Sequence, residues 1–198
     1  MTDGAPRAGT PSRDLLVRLP ADALVLLVGI SGSGKTTLAA RHFAPDEVLG
    51  SDAFRAAVSG DEANQRATGE AFRRLRAALA RRLARGLLTV VDATNTQAWA
   101  RGELLRVARD AGRPTAAIVL DLPLALCLER VAQRLARPVP PGVVRRQLRE
   151  LHRSLPSLAL EGHVVTAILR DAESVERLRI GRLPRQSSVV EQSATSRT

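Results

Sequence analysis

The octapeptide GISGSGKT, Gly29 to Thr36, follows directly on the apolar run ALVLLVG (23–29), and no other stretch constrains the chain as much. An unbroken apolar run of this length suits a strand buried on both faces. The segment after it, TTLAARHF, holds neither Gly nor Pro and suits a helix. A glycine-rich turn between such a strand and such a helix lets backbone N–H groups converge on an anion without interference from side chains. The helix adds the positive end of its dipole. The spacing G-x-x-x-x-G-K-[ST] is complete. Of 30 Lys+Arg only one is lysine, Lys35, and the other 29 are arginine. A compact ammonium fits inside such a loop where a broad, planar guanidinium does not, which accounts for the position of that one lysine. The pattern points to a cradle for a nucleoside triphosphate built from Gly32, Ser33, Gly34, Lys35, Thr36 and Thr37. Lys35 is expected to reach the β and γ phosphates, and the Thr36 hydroxyl to serve Mg²⁺, which takes few protein ligands.

Short apolar runs and helical stretches alternate along the rest of the chain. Strands are expected at 23–29, 47–52, 87–94, 115–122 and 163–169. Helices are expected from Lys35 to about His42, Arg66 to Arg85, Gln97 to Ala111, Pro123 to about Ala136, and after RPVPPG to about Ser154. Such alternation implies an α/β, P-loop NTPase fold: an open five-stranded parallel sheet with helices on both faces. One domain is expected over 14–181, with disordered tails at 1–13 and 182–198, both poor in apolar periodicity.

Composition narrows the class. No apolar run approaches the ~18 residues of a membrane span, and MTDGAPRAGTPSRD lacks the apolar core of a signal peptide. The single cysteine, Cys127, excludes an internal disulfide and fits a reducing cytoplasm; within LPLALCLERV it reads as a buried packing residue. A formal charge of +10 attracts polyanions such as nucleic acid, although nearly total use of Arg over Lys also reflects compositional bias. With four aromatics in all, Phe43, Phe54, Phe72 and Trp99, stacking on bases falls to arginine planes instead.

The cradle alone does not choose a reaction. A guanine-binding N-K-x-D motif is ruled out because the only lysine is already in the loop. The run TVVDATN places Ala93 after Asp92, where a motor ATPase usually carries a second acid. Both observations favour transfer of phosphate to another acceptor. In GSDAFR, Asp52 and Arg55 are three apart and share a face of a helix's first turn. The carboxylate can take the proton of an attacking hydroxyl while the guanidinium holds a phosphate on the acceptor; equally, Ser51 or Asp52 can simply cap the helix. Asp92, through water, can serve Mg²⁺ or orient Asp52. Asn95 stands beside it, as a site residue or as a cap of the next helix.

Four segments, VLLVGISGSGKTTLAARHF, EVLGSDAFRAAVSGDEANQ, LTVVDATNTQAWAR and VVRRQLRELHRSL, together resemble the kinase module of the bacterial polynucleotide kinase-phosphatase family, from about Val17 to Leu169. That resemblance implies transfer of the γ-phosphate of ATP to the 5′-hydroxyl of RNA or DNA. It makes Asp52 the general base, Arg55 the clamp on the acceptor's phosphate, and about 130–145 an arginine-bearing lid, with Arg134, then Arg130, over the γ-phosphate and Arg137 beyond them. The helix 66–85 carries seven arginines against Glu70 alone and offers a track for downstream phosphates, or a solvated face. His42, His152 and His163 show no metal-ligand spacing. The chain leaves no room for the family's phosphatase module and no second lysine for its ligase module, so separate phosphatase or ligase partners are expected. Two alternatives remain: a P-loop kinase acting on a nucleoside, sugar or antibiotic, and a non-catalytic ATP-binding partner of nucleic acid.

Overall fold

The computed structural model describes residues 14–59, 68–134 and 138–184. In chain order the elements are β1 (Leu15–Pro20), β2 (Leu24–Gly29), α1 (Lys35–His42), a single 3-10 turn (Pro45–Glu47), β3 (Val48–Gly50), α2 (Ser51–Ser59), α3 (Thr68–Ala84) and β4 (Thr89–Asp92). Then come α4 (Ala98–Asp110), β5 (Thr115–Leu120), α5 (Leu124–Ala132), α6 (Pro141–Leu158), β6 (Val165–Leu169), α7 (Ala172–Arg177) and β7 (Leu178–Leu183).

The main sheet is parallel and five-stranded, in the order β3-β4-β2-β5-β6. β2 and β5 are buried at every position because helices cover both faces, as their unbroken apolar runs require. The chain leaves β2 toward β4 and β3, and later returns to β5 on the other side. The loop after β2 therefore opens at the crevice where the strand order reverses, the usual ligand position in such sheets. Leu75, Leu79 and Leu83 of α3 are fully buried; their spacing of four keeps them on one helix face.

Several boundaries differ from those the sequence suggests. β3 ends at Gly50, so Ser51 and Asp52 open α2 instead of closing a strand. α5 stops at Ala132, short of Ala136, and Arg134 lies beyond its end. α6 continues past Ser154 to Leu158, through Pro156. Its buried Val144, Leu151 and Leu158 recur every seven residues, and that packing offsets the hydrogen bond lost at the proline. β1, α7 and β7 carry no clear periodicity and were not anticipated. β1 and β7 pair in parallel as a separate two-stranded sheet, with Leu15 opposite Leu178 and Pro20 opposite Leu183. Arg182 and Leu183 therefore complete a strand and do not begin a tail at 182; Arg182 also pairs with Glu47 at 2.8 Å and stands over the Phe43 ring. The expectations for 1–13, 185–198, Arg66 and Arg137 lie outside the described residues. Among the described residues no helix is long and apolar enough to cross a membrane.

Candidate active site

The loop from Gly29 to Gly34 closes tightly because two of its glycines do what no other residue can. Gly32 has φ 84°, and a Cβ there would strike the Cys127 carbonyl of α5. Gly34 has φ 95° and precedes α1 in the left-handed conformation, which costs a side-chain-bearing residue about 1–2 kcal/mol. The Lys35 ammonium turns back into the loop. It donates to the carbonyls of Gly29 (2.9 Å) and Ile30 (3.0 Å) and to Ser33 Oγ (3.4 Å). Burial pushes its pKa down to about 8; Asp92 opposes that shift and Arg134 adds to it. No acid stands in the first turn of α1, so its exposed amide end keeps its attraction for anions.

Strand pairing places the next groups. β2 and β4 are neighbours with Leu27 opposite Asp92, which brings Asp92 against the start of α1. The Thr36 hydroxyl donates to Asp92 Oδ2 at 2.7 Å. A hydroxyl and a carboxylate side by side at a phosphate loop suit Mg²⁺, which fills its octahedron mostly with water and phosphate oxygens. Gly50 of β3 is in turn opposite Asp92. Asp52, half-buried, therefore sits two residues beyond that register, on the same rim of the sheet and in the first turn of α2. Arg55 follows one turn later in the same helix.

Arg130 and Arg134 converge from the other side. A Cβ at Gly34 would lie 3.7 Å from Arg130 Nη1, so that guanidinium covers the loop. Arg130 and the exposed Arg134 line one cavity of about 340 Å³ with Gly32, Ser33, Gly34 and Thr37. Its far wall comes from Arg41 and His42 of α1 and from Ala172, Val175 and Glu176 of α7. The expected strands end before α7, but the sequence does hold a signal for it. Asp171 caps that helix, accepting from the Ser174 backbone N–H at 2.6 Å, and Asp at that position is a helix-start residue. Cys127 is fully buried behind the loop, where burial pushes its thiol pKa up.

Asn95 is not part of this cluster. It is buried with φ 49°, and its Nδ2 donates to the Leu27 carbonyl at 2.8 Å, bracing the turn after β4 against β2. Sequence reasoning also missed a polar network beneath the site. Arg101 of α4 is fully buried and paired with Glu161 at 2.6 Å. It also donates to the Asn95 carbonyl (2.9 Å) and to Ser154 Oγ (3.0 Å). His163 donates from Nε2 to Glu161, and its Nδ1 shares a hydrogen bond with the Thr115 hydroxyl at 3.0 Å. Burial pushes the Glu161 carboxyl up. The bonds from His163 and Arg101, the Arg101 charge and the Ser157 hydroxyl outweigh that and hold it at about 2. One further link reaches the cradle: the Ser31 backbone N–H donates to Gln147 Oε1 of α6 at 2.8 Å.

The family model described as an AAA domain matches residues 24–158, from β2 to the end of α6. The chain belongs to this AAA-domain family. Its fold is that of a P-loop kinase. A search of curated proteins finds no sequence match. Among solved structures, this AAA-domain protein is similar to a chain of the Pnkp1/Rnl/Hen1 RNA repair complex, with TM-score 0.59 and 18% identity, over 77% of its own length and 49% of the other's. It thus spans about half of that chain. It is also similar to a sugar kinase from Janibacter sp. HTCC2649, with TM-score 0.53 and 23% identity, over 75% and 84% of the two chains. A gluconokinase from Sinorhizobium meliloti 1021 gives TM-score 0.50 and 20% identity over 80% and 90%. At these identities the likeness is one of fold.

Proposed function

We propose that this AAA-domain protein is an ATP-dependent polynucleotide 5′-hydroxyl kinase. The observation that carries the reading is the register of β3 on β4. It sets Asp52 on the rim beside Asp92 and the phosphate loop, with Arg55 one turn behind it.

In this reading the 5′-oxygen of the acceptor attacks the γ-phosphorus of ATP. Asp52 takes the hydroxyl proton as the new O–P bond forms, the bond to the β–γ bridging oxygen breaks, and ADP leaves. The loop amides and Lys35 hold the β and γ oxygens, and Arg130 and Arg134 neutralise charge as it spreads over the transferring group. Phosphoryl transfer depends on positioning and charge neutralisation of this kind. Arg55 holds the phosphate that follows the 5′-nucleoside, a group that a simple alcohol lacks. Thr36 and, through water, Asp92 are the residues that would hold Mg²⁺, which when bound would supply further neutralisation of phosphate charge.

Transfer of labelled phosphate from ATP to 5′-OH oligonucleotides tests the reading. Asp52→Asn is expected to lower turnover at least ~10²-fold, the usual worth of a general base, while ATP still binds. Failure of the wild-type protein to label RNA or DNA, with ATP bound, refutes it. A second reading, a kinase for a small hydroxyl metabolite, draws on the sugar kinase, which the chain covers over 84% of its length. A metabolite phosphorylated with far higher kcat/KM than any oligonucleotide favours that reading.

A further inference from the structure

The arginines of this chain are used differently on different helices. On α3, Arg73 and Arg74 are both paired with Glu70. Arg82 turns inward to the Leu88 carbonyl and the Thr89 hydroxyl, both at 3.1 Å. The helix that looked richest in the sequence thus spends much of its charge on itself.

α6 does not. Arg145, Arg149 and Arg153 are exposed and make no ion pair among the described residues, while Arg146 leans toward Glu150 at 3.8 Å. Positions i, i+4 and i+8 drift slowly around a helix and climb about 6 Å per step. The three guanidiniums therefore form a stripe about 12 Å long on the side opposite the buried Val144, Leu151 and Leu158. Exposed His152 lies along the same stripe and contacts Asp121 at 2.9 Å. The stripe has a fixed origin. Gln147, between its first two arginines in sequence but on the inner side of α6 with Val144 and Leu151, is bonded to Ser31 of the phosphate loop, so the stripe begins level with that loop, on the outer side of the helix, and runs on toward its C-terminus. Evenly spaced arginines held on a rigid helix suit a repeating anion, and a single strand of phosphodiesters is such an anion.

We propose that α6 is the track for the acceptor strand: a single-stranded polynucleotide whose 5′ end is in the active site lays its downstream phosphates on Arg145, Arg149 and Arg153. This rests on the polynucleotide reading above and adds where the strand leaves and what holds it. Contacts to phosphate alone carry no sequence preference.

The experiment compares 5′-OH dinucleotides with 12-mers for the wild type, for Arg145→Gln/Arg149→Gln/Arg153→Gln, and for the charge-matched control Arg76→Gln/Arg81→Gln/Arg85→Gln on α3 and the turn that follows it. Binding of a labelled 12-mer is followed by fluorescence anisotropy across a salt series. Each single-strand phosphate contact contributes about 0.7 to the slope of log affinity against log salt. The α6 variant is expected to lose about 2 from that slope and to raise the 12-mer KM at least tenfold near 0.1 M salt. The dinucleotide KM and the α3 control are expected to stay within about twofold of wild type. Equal losses in the α6 and α3 variants overturn the proposal, because the effect is then net charge. A wild type with the same KM for dinucleotide and 12-mer overturns it as well, and leaves the kinase assignment standing. If no oligonucleotide is phosphorylated or bound at all, the kinase reading falls and the track falls with it.

Discussion

Glu161→Gln tests how much the buried network contributes to the fold. The Glu161 carboxyl is held at about 2 instead of its ordinary 4.5, which corresponds to about 3 kcal/mol of stability at neutral pH. Its side chain is only 12% exposed, so little of this is lost to solvent screening. The partner left behind, Arg101, is fully buried, and stranding a buried charge costs about 3–5 kcal/mol, which agrees in size. A depressed acid stabilises the fold fully above its unfolded value. That contribution fades as pH falls from 4.5 toward about 2. Urea denaturation at pH 7 is expected to show Glu161→Gln less stable by about 3 kcal/mol. The midpoint of thermal unfolding should fall by about 6–12 °C. At pH 3, where the wild-type carboxyl has given up much of its advantage, the gap is expected to narrow to about 1 kcal/mol. A gap below ~1 kcal/mol at pH 7, or one of the same size at both pH values, refutes the assignment of a net stabilising ion pair to this site.

Three further outcomes follow from the cradle. Gly32→Ala drives a methyl into the Cys127 carbonyl and within 3.0 Å of Val131 Cγ2; it is expected to cost about 2 kcal/mol or more and at least tenfold in ATP affinity, read by denaturation and nucleotide titration. Lys35, at about 8 in the free protein, must be charged to hold phosphate, so ATP is expected to bind about tenfold more weakly at pH 9 than at pH 7. Calorimetry in two buffers should show proton uptake near pH 8.5, and affinity that stays flat over that range contradicts the shift. Arg134→Ala, which removes a charge from the cavity beside the loop, is expected to slow single-turnover transfer by about 10³ with ATP affinity changed less than about fivefold; equal losses in both would make Arg134 a binding residue instead.

The local signals in this sequence are covalent and short-range, and they sufficed for much of the architecture. GISGSGKT specifies its own turn, because glycines reach conformations that other residues avoid and because a loop of backbone amides needs no distant partner. The unbroken runs at 24–29 and 115–120 could only be strands covered on both faces, so a parallel sheet with helices on either side followed from pattern alone. The pairing of Thr36 with Asp92 was different. These residues lie 56 apart, and only the order β3-β4-β2 brings them to 2.7 Å. Arg101 looked like any other of the 29 arginines until the packing of α4 on α6 enclosed it with Glu161, 60 residues away. Whether an arginine is buried, paired or open to solvent depends on which distant acids and faces meet it. The identical side chains on α3 and α6 therefore took on their separate roles only when the chain had closed around its sheet.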